Sequence, residues 1–330
     1  MAEPNPPPPA WSRTSDGAHR RLPDELLRDA LFLVGPTASG KSSVAMQLAK
    51  QIGGEIIALD SRTLYRGFDI GTAKPTAADR AAVPHHLIDV TTMEREFNVA
   101  DYIDAAVEAA VGIAARGRVP MFVGGAGMYL RAILRGMFDG PPSDAANRAA
   151  IEERADRIGR PALHRELAGV DPISAGRIHP NDRQRVVRAL EVLQTTGRRL
   201  SDWQSQPAHR DGVAAIWLDR PRANLHERIN ARARAMIDEG WLDEVETLLQ
   251  QRPSSPSVFG KILGYPELAA VVRDESSIED AIEAIQIATR QFAKRQVTWF
   301  RNLGEVDAIA VEPNEPTATI VERVRAALGV

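Results

Sequence analysis

The segment Gly35-Pro36-Thr37-Ala38-Ser39-Gly40-Lys41-Ser42 matches G-x-x-x-x-G-K-[ST] at every fixed position, and its flanks restrict what the chain can fold into. Ahead of it, Ala30-Leu31-Phe32-Leu33-Val34 reads as a buried strand, and behind it the stretch from Ser43 to Lys50 reads as a helix. Strand, glycine-rich turn and helix in that order make a phosphate-binding loop. The glycines let backbone N–H groups curl around a phosphate chain, and the helix N-terminus adds a positive dipole. Lys41 places a point charge on the outer phosphates and Ser42 can ligand a magnesium ion. The expected ligand is a di- or triphosphate group.

The chain of 330 residues is long enough for two domains, or for one large domain carrying an insertion. It has no cysteine, which excludes disulfides, thiolate metal sites and a thiol nucleophile and is compatible with the cytoplasm. No apolar run is long enough to span a bilayer. The run Pro6-Pro7-Pro8-Pro9 marks residues 1–25 as a disordered lead and not a signal peptide. A net charge of −3 argues against a chain coated in positive charge, so a nucleic-acid partner would have to be held by local basic stripes.

Through about residue 135, strand-like runs alternate with helical stretches: Ala30 to Val34, Glu55 to Leu59 and Val119 to Val123, with an alanine-rich helix from Asp101 to Arg116. This is the rhythm of a parallel sheet wrapped by helices. Asp139-Gly140-Pro141-Pro142 interrupts it, the following residues read as helices only, and Val213 to Leu218 resumes as a strand. The expected fold is therefore α/β, a parallel sheet flanked by helices with an all-helical insertion. The core would occupy residues 26–139 and 212–330, and the insertion 140–211. Leu225, Ile229, Met236, Ile237, Trp241, Val245 and Leu248 recur at helical spacing and predict one amphipathic helix, and Val306 to Val311 and Thr317 to Leu328 a last strand and helix.

Asp60 stands at the C-terminal end of the second strand, where ligands of open parallel sheets gather, so it should share a crevice with the loop. Its carboxylate can serve a metal ion, accept a proton from a substrate, or merely cap the turn at Ser61. Asp89 is a weaker candidate of the same kind. His85 and His86 are adjacent and would point to opposite faces of an extended segment, so they cannot chelate one metal together. Arg228 and Arg232 share a helical face and could close over phosphates, with the balance toward Arg228. Trp217 and Trp241 read as core.

Beyond the loop, Asp60-Ser61, Tyr65-Arg66, Asp69-Ile70-Gly71-Thr72-Ala73-Lys74-Pro75 and Pro84-His85-His86-Leu87-Ile88-Asp89 form a distinctive series. Val123-Gly124-Gly125, Ile178-His179-Pro180-Asn181-Asp182, Gln184-Arg185, Arg188-Ala189-Leu190-Glu191, Thr289-Arg290-Gln291 and Lys294-Arg295-Gln296 with Trp299-Phe300 continue it in order. This set resembles the signature of the tRNA dimethylallyltransferases, the IPP transferase family. The resemblance implies transfer of a dimethylallyl group from dimethylallyl pyrophosphate to the exocyclic amine of the adenosine on the 3′ side of the anticodon. It implies Asp60 as the group that orients and deprotonates the amine, the loop as the pyrophosphate cradle, and Mg2+ at Ser42. It also implies a substrate contact from Arg148, so that Arg148 and, from its helical face, Arg228 are the expected donor contacts. Contacts to the tRNA anticodon stem-loop are implied for Asp60, Ser61, Arg62, Thr63, Ala126, Arg148, Gln184, Arg185, Val186, Val187 and Arg188. A monomer is expected, because one chain carries every motif.

Basic residues crowd two places, Arg183 to Arg199 and Arg290 to Arg301, the latter interleaved with Phe292, Trp299 and Phe300. Residue type alone makes such runs solvated faces; the resemblance makes them RNA contacts. Two positions depart from the family pattern. Ala126 replaces a threonine after the glycine pair, and Thr63 stands where many members carry glutamine or an aliphatic residue. Two other functions use the same loop: a small-molecule kinase with Asp60 as base, and an RNA-binding protein switched by ATP.

Overall fold

The computed structural model describes residues 22–95, 97–136, 144–203, 213–251 and 256–330. The chain divides into two units, one of Met1–Arg135 with His209–Val330 and the other of Gly136–Ala208. Most of the proline-rich lead lies outside the described residues. Of the last residues counted with that lead, Leu22 is buried, as is Leu27, and Asp24 and Glu25 open helix α1 (Asp24–Asp29).

The first unit is built on β1 (Leu31–Val34), α2 (Lys41–Ile52), β2 (Gly54–Leu59), α3 (Ala77–Ala82), β3 (His85–His86), α4 (Val99–Ala115), β4 (Val119–Gly124) and α5 (Gly127–Arg135). The second contains α6 (Ala145–Ile158), α7 (Arg160–Val170), α8 (Pro172–Arg177), α9 (Arg183–Thr196) and α10 (Leu200–Trp203). The first unit resumes with β5 (Ala214–Asp219), α11 (Arg222–Asp238), α12 (Trp241–Gln250), α13 (Pro256–Phe259), α14 (Tyr265–Val272), α15 (Ile278–Arg301), β6 (Asp307–Ala310) and α16 (Thr317–Leu328).

The strands form one sheet in the order β3-β2-β4-β1-β5-β6, and neighbouring strands run parallel. An all-parallel sheet needs cover on both faces, which is why β1 is apolar and buried at every position. Alternation along the strand divides it: Leu31 and Leu33 join Val44 and Leu48 of α2 and Ile320, Val321 and Val324 of α16 in one core. Phe32 belongs to the opposite face, stacked on Phe122 with ring centroids 4.8 Å apart.

The amphipathic run from Leu225 to Leu248 is two helices and not one. Its apolar period continues, but α11 ends at Asp238 and α12 restarts after Gly240, whose φ of 97° suits glycine and breaks the helical path. In the helical unit, Ile151, Leu163, Leu167, Val186, Val187 and Leu190 form a separate core.

Candidate active site

The phosphate loop leaves the carboxyl end of β1, between the ends of β4 and β5. Ala38 is left-handed at φ 64°, a cost that L-residues avoid unless their surroundings hold them. Two arginines do so from the carbonyl side: Arg228 Nε donates to Ala38 O at 2.7 Å, and buried Arg220 Nε donates to Ser39 O at 2.7 Å. With those carbonyls turned outward, the first turn of α2 faces the cavity with no side-chain cap on its N–H groups. Arg228, expected to touch the donor, is thus placed as a support of the loop. Its neighbour one turn on, Arg232, lines the cavity instead.

That cavity, about 1050 Å³, lies within the first unit and is lined by Thr37, Lys41, Ser42, Asp60, Ser61, Arg62, Thr63, Ala126 and Tyr129 among others. Lys41 Nζ folds back on its own loop to donate to Pro36 O at 3.3 Å. Burial, and then the charge of Arg232, pushes Lys41 down to about 8, while Asp60 opposes the shift. Burial likewise lowers Arg232, again against Asp60. One carboxylate therefore faces two cations across the cavity, an arrangement that admits an anion with more than one charge.

Asp60 Oδ1 accepts the Arg62 N–H at 2.7 Å, so the turn-capping role read from sequence is real and occupies one oxygen. The cap fixes the carboxylate's orientation at the mouth of β2. Beneath it, Tyr129 stacks on Tyr102 at 4.0 Å, and Tyr102 donates to Ala58 O at 3.0 Å. Burial is the main cause that raises both phenols, with the Asp60 charge adding to it, so they are neutral walls and not bases. The Thr63 hydroxyl is buried without a hydrogen-bond partner, and Ala126 is half-buried on the loop after β4.

Asp89 is not a second reactive carboxylate. It is bound by Lys74 and Arg80, and Lys74 also bonds Asp69 and the Tyr65 carbonyl, a network that ties down the loop from Asp69 to Pro75. Glu244 completes that anchorage by accepting the N–H groups of Asp69 and Ile70 and the Tyr265 hydroxyl. His85 contacts Val83 O and His86 contacts Glu55, consistent with structural roles. Trp217 and Trp241 are buried, although Trp241 also reaches the cavity wall. Among the described residues no cluster of three His, Cys, Asp or Glu is arranged to hold a metal. Ser42 is exposed at the start of α2 and lines the cavity. One hydroxyl beside a phosphate cradle fits a magnesium ion that takes most of its ligands from phosphate and water.

The other expected contacts lie in the helical unit. Glu191, with no exposed surface, accepts Asp144 N–H at 2.8 Å and pairs with Arg188 at 3.1 Å and Arg148 at 3.6 Å. Arg148, expected to contact the donor, is in this way tied to the unit's own buried carboxylate. Gln184 and Arg185 are exposed, whereas the side chains of Val186 and Val187 are packed into the unit's core. Sequence reasoning also missed Arg220 and gave Gln296 no individual role. Arg220 sits at a strand's carboxyl end, as Asp60 does, and that position was the available signal.

This fold and cavity define a phosphate-loop α/β protein with an oriented carboxylate beside the loop. The profile described as IPP transferase matches residues 63–303. The chain is 47% identical over 297 residues to a tRNA dimethylallyltransferase of Anaeromyxobacter sp. (strain K), covering 89% of this chain and 96% of that one. It also resembles the full-length tRNA isopentenylpyrophosphate transferase of Bacillus halodurans at TM-score 0.66 and 35% identity, covering 91% of this chain and 96% of that one. A eukaryotic dimethylallyltransferase acting on tRNA superposes at TM-score 0.76 with 25% identity, covering 90% of this chain and 77% of that one. The chain belongs to the IPP transferase family.

Proposed function

We propose that this protein transfers the dimethylallyl group of dimethylallyl pyrophosphate to the exocyclic amine of the adenosine 3′-adjacent to the anticodon in tRNA, releasing pyrophosphate. The observation that carries the reading is the placement of Asp60 in one cavity with Lys41 and Arg232, at the mouth of a phosphate loop. In the reaction the amine nitrogen forms a bond to the allylic carbon, the bond from that carbon to the pyrophosphate oxygen breaks, and Asp60 accepts the amine proton. The charge that develops on the leaving oxygen falls where the N-terminus of α2, Lys41 and Arg232 already supply positive potential. Magnesium held by Ser42 and the pyrophosphate would add charge neutralisation. The acceptor base must leave its stack to enter the cavity, and the RNA around it is gripped through phosphates. We assign that grip to Gln184, Arg185, Arg188 and Arg148 of the helical unit and to Ser61, Arg62 and Thr63 beside the base. No helix among the described residues is long and apolar enough to cross a membrane.

A kinase would place label from the γ-phosphate of ATP on its acceptor. The test is to digest tRNA after incubation with dimethylallyl pyrophosphate labelled in the allyl group, or with γ-labelled ATP, and to locate the label. Prenylated adenosine beside the anticodon supports the reading, and label arriving only from ATP refutes it.

A further inference from the structure

Gln296, on α15, joins the two loops that must cooperate in the reaction. Its side-chain oxygen accepts the Thr37 N–H of the phosphate loop at 2.9 Å, and its side-chain nitrogen donates to Gly125 O at 3.0 Å. The Gly125 and Ala126 N–H groups in turn both donate to Leu59 O at 3.0 Å, the carbonyl immediately before Asp60. An unbroken hydrogen-bonded path therefore runs from the phosphate loop through Gln296 to the residue that carries the base. The Gln296 side chain is buried, so both bonds are shielded from water and neither is easily exchanged for a solvent bond.

The glycine pair at the end of β4 exists to allow this approach. A Cβ on Gly125 would stand 2.2 Å from Gln296 Nε2, and one on Gly124 would stand 2.0 Å from Leu59 O. The contact is also directional. Glutamine is the residue of this length that accepts with one terminal atom and donates with the other, and the bridge requires both.

We propose that Gln296 is a positioning residue for prenyl transfer, setting the distance between the phosphate loop and the Asp60 strand end so that the allylic carbon meets the acceptor amine. This rests on the functional reading above. A bound donor is anchored by its pyrophosphate and a bound base by the tRNA, so loss of the bridge changes their alignment more than the affinity for either. A misplacement of about 1 Å costs on the order of 10²-fold in rate.

The test uses the full-length protein with Gln296→Met, which keeps length and removes both bonds, and Gln296→Glu, which keeps acceptance from Thr37 and loses donation to Gly125. Single-turnover transfer at saturating donor and tRNA should fall about 10²-fold in Gln296→Met, with both dissociation constants within about threefold of wild type. Amide hydrogen exchange at Thr37, read in the free protein, should speed up in Gln296→Met and stay near wild type in Gln296→Glu, whose transfer rate should nonetheless fall. A rate near wild type in both variants, or a loss carried entirely by donor affinity, overturns the proposal. So does unchanged Thr37 exchange in Gln296→Met. If the wild type transfers no prenyl group, the functional reading fails while the exchange data still decide whether the bridge exists.

Discussion

The catalytic unit and the helical unit both carry arginines and carboxylates, yet they use them differently. In the catalytic unit Lys41, Arg232 and Asp60 face a cavity, and Arg220 and Arg228 brace the loop that shapes it. In the helical unit several charged residues hold one another. Arg183 bonds Asp156, and Arg148 and Arg188 meet on the fully buried Glu191. The stripe that reads in sequence as a row of equivalent cations is therefore graded. Arg185 is exposed with a weak local partner, Asp182 at 3.4 Å, whereas Arg188 is partly committed to the fold. A motif marks chemistry reliably where the backbone dictates the geometry, and less reliably where only side-chain charge is involved.

If the units divide labour in this way, substitutions in the catalytic unit should act on rate and those in the helical unit on RNA affinity. The largest effect is expected at Asp60. Asp60→Asn keeps the turn cap to the Arg62 N–H but cannot take a proton, so single-turnover transfer should fall about 10²–10⁴-fold with little change in either affinity. A parallel loss of tRNA affinity would break the division.

Lys41→Ala should lower the rate by about 10²–10³-fold and weaken donor binding, with tRNA affinity kept. The pH dependence sharpens this. Lys41 is held down to about 8 in the free protein, whereas bound pyrophosphate favours the charged amine. Binding then takes up a proton above that pH, and donor affinity declines as pH rises beyond about 8. Lys41→Arg, charged throughout, should flatten the profile in a titration by calorimetry. An unchanged slope would remove Lys41 from the phosphate contact.

In the helical unit Arg185→Ala should leave stability within about 0.5 kcal/mol and make the salt slope of tRNA binding shallower by about one phosphate contact. Arg188→Ala should do the same to the slope and also lower stability, by about 1–3 kcal/mol, because Glu191 stays buried and loses one of the cations that balance it. Equal melting temperatures for the two variants would contradict the grading. The smallest effect is expected at the pair that departs from the family pattern. If the unpartnered Thr63 hydroxyl substitutes for the one absent at Ala126, Ala126→Thr alone should change turnover by less than about tenfold. Thr63→Val should then cost more alone than with Ala126→Thr. Additive effects in that double-mutant cycle would refute compensation.

Much of this was legible in the sequence because central parallel strands are short apolar runs and because the phosphate loop and strand-end Asp60 are fixed by local backbone. Strand β3 was not, since two histidines carry no periodicity and pair only through tertiary context. The break between α11 and α12 was hidden because the apolar period runs across Gly240 as though the helix continued. The Gln296 bridge was invisible for another reason: its partner Thr37 lies 259 residues away in the chain, beyond any local pattern.

The central claim is that the loop holds a pyrophosphate leaving group and consumes no ATP. Its most direct test is a single-turnover reaction of enzyme, tRNA, magnesium and dimethylallyl pyrophosphate, with nucleotides removed, in which released pyrophosphate is counted against modified adenosine. The account predicts one pyrophosphate for each prenylated adenosine and no stimulation by added ATP. Transfer that requires ATP, or yields inorganic phosphate in step with modification, would contradict it.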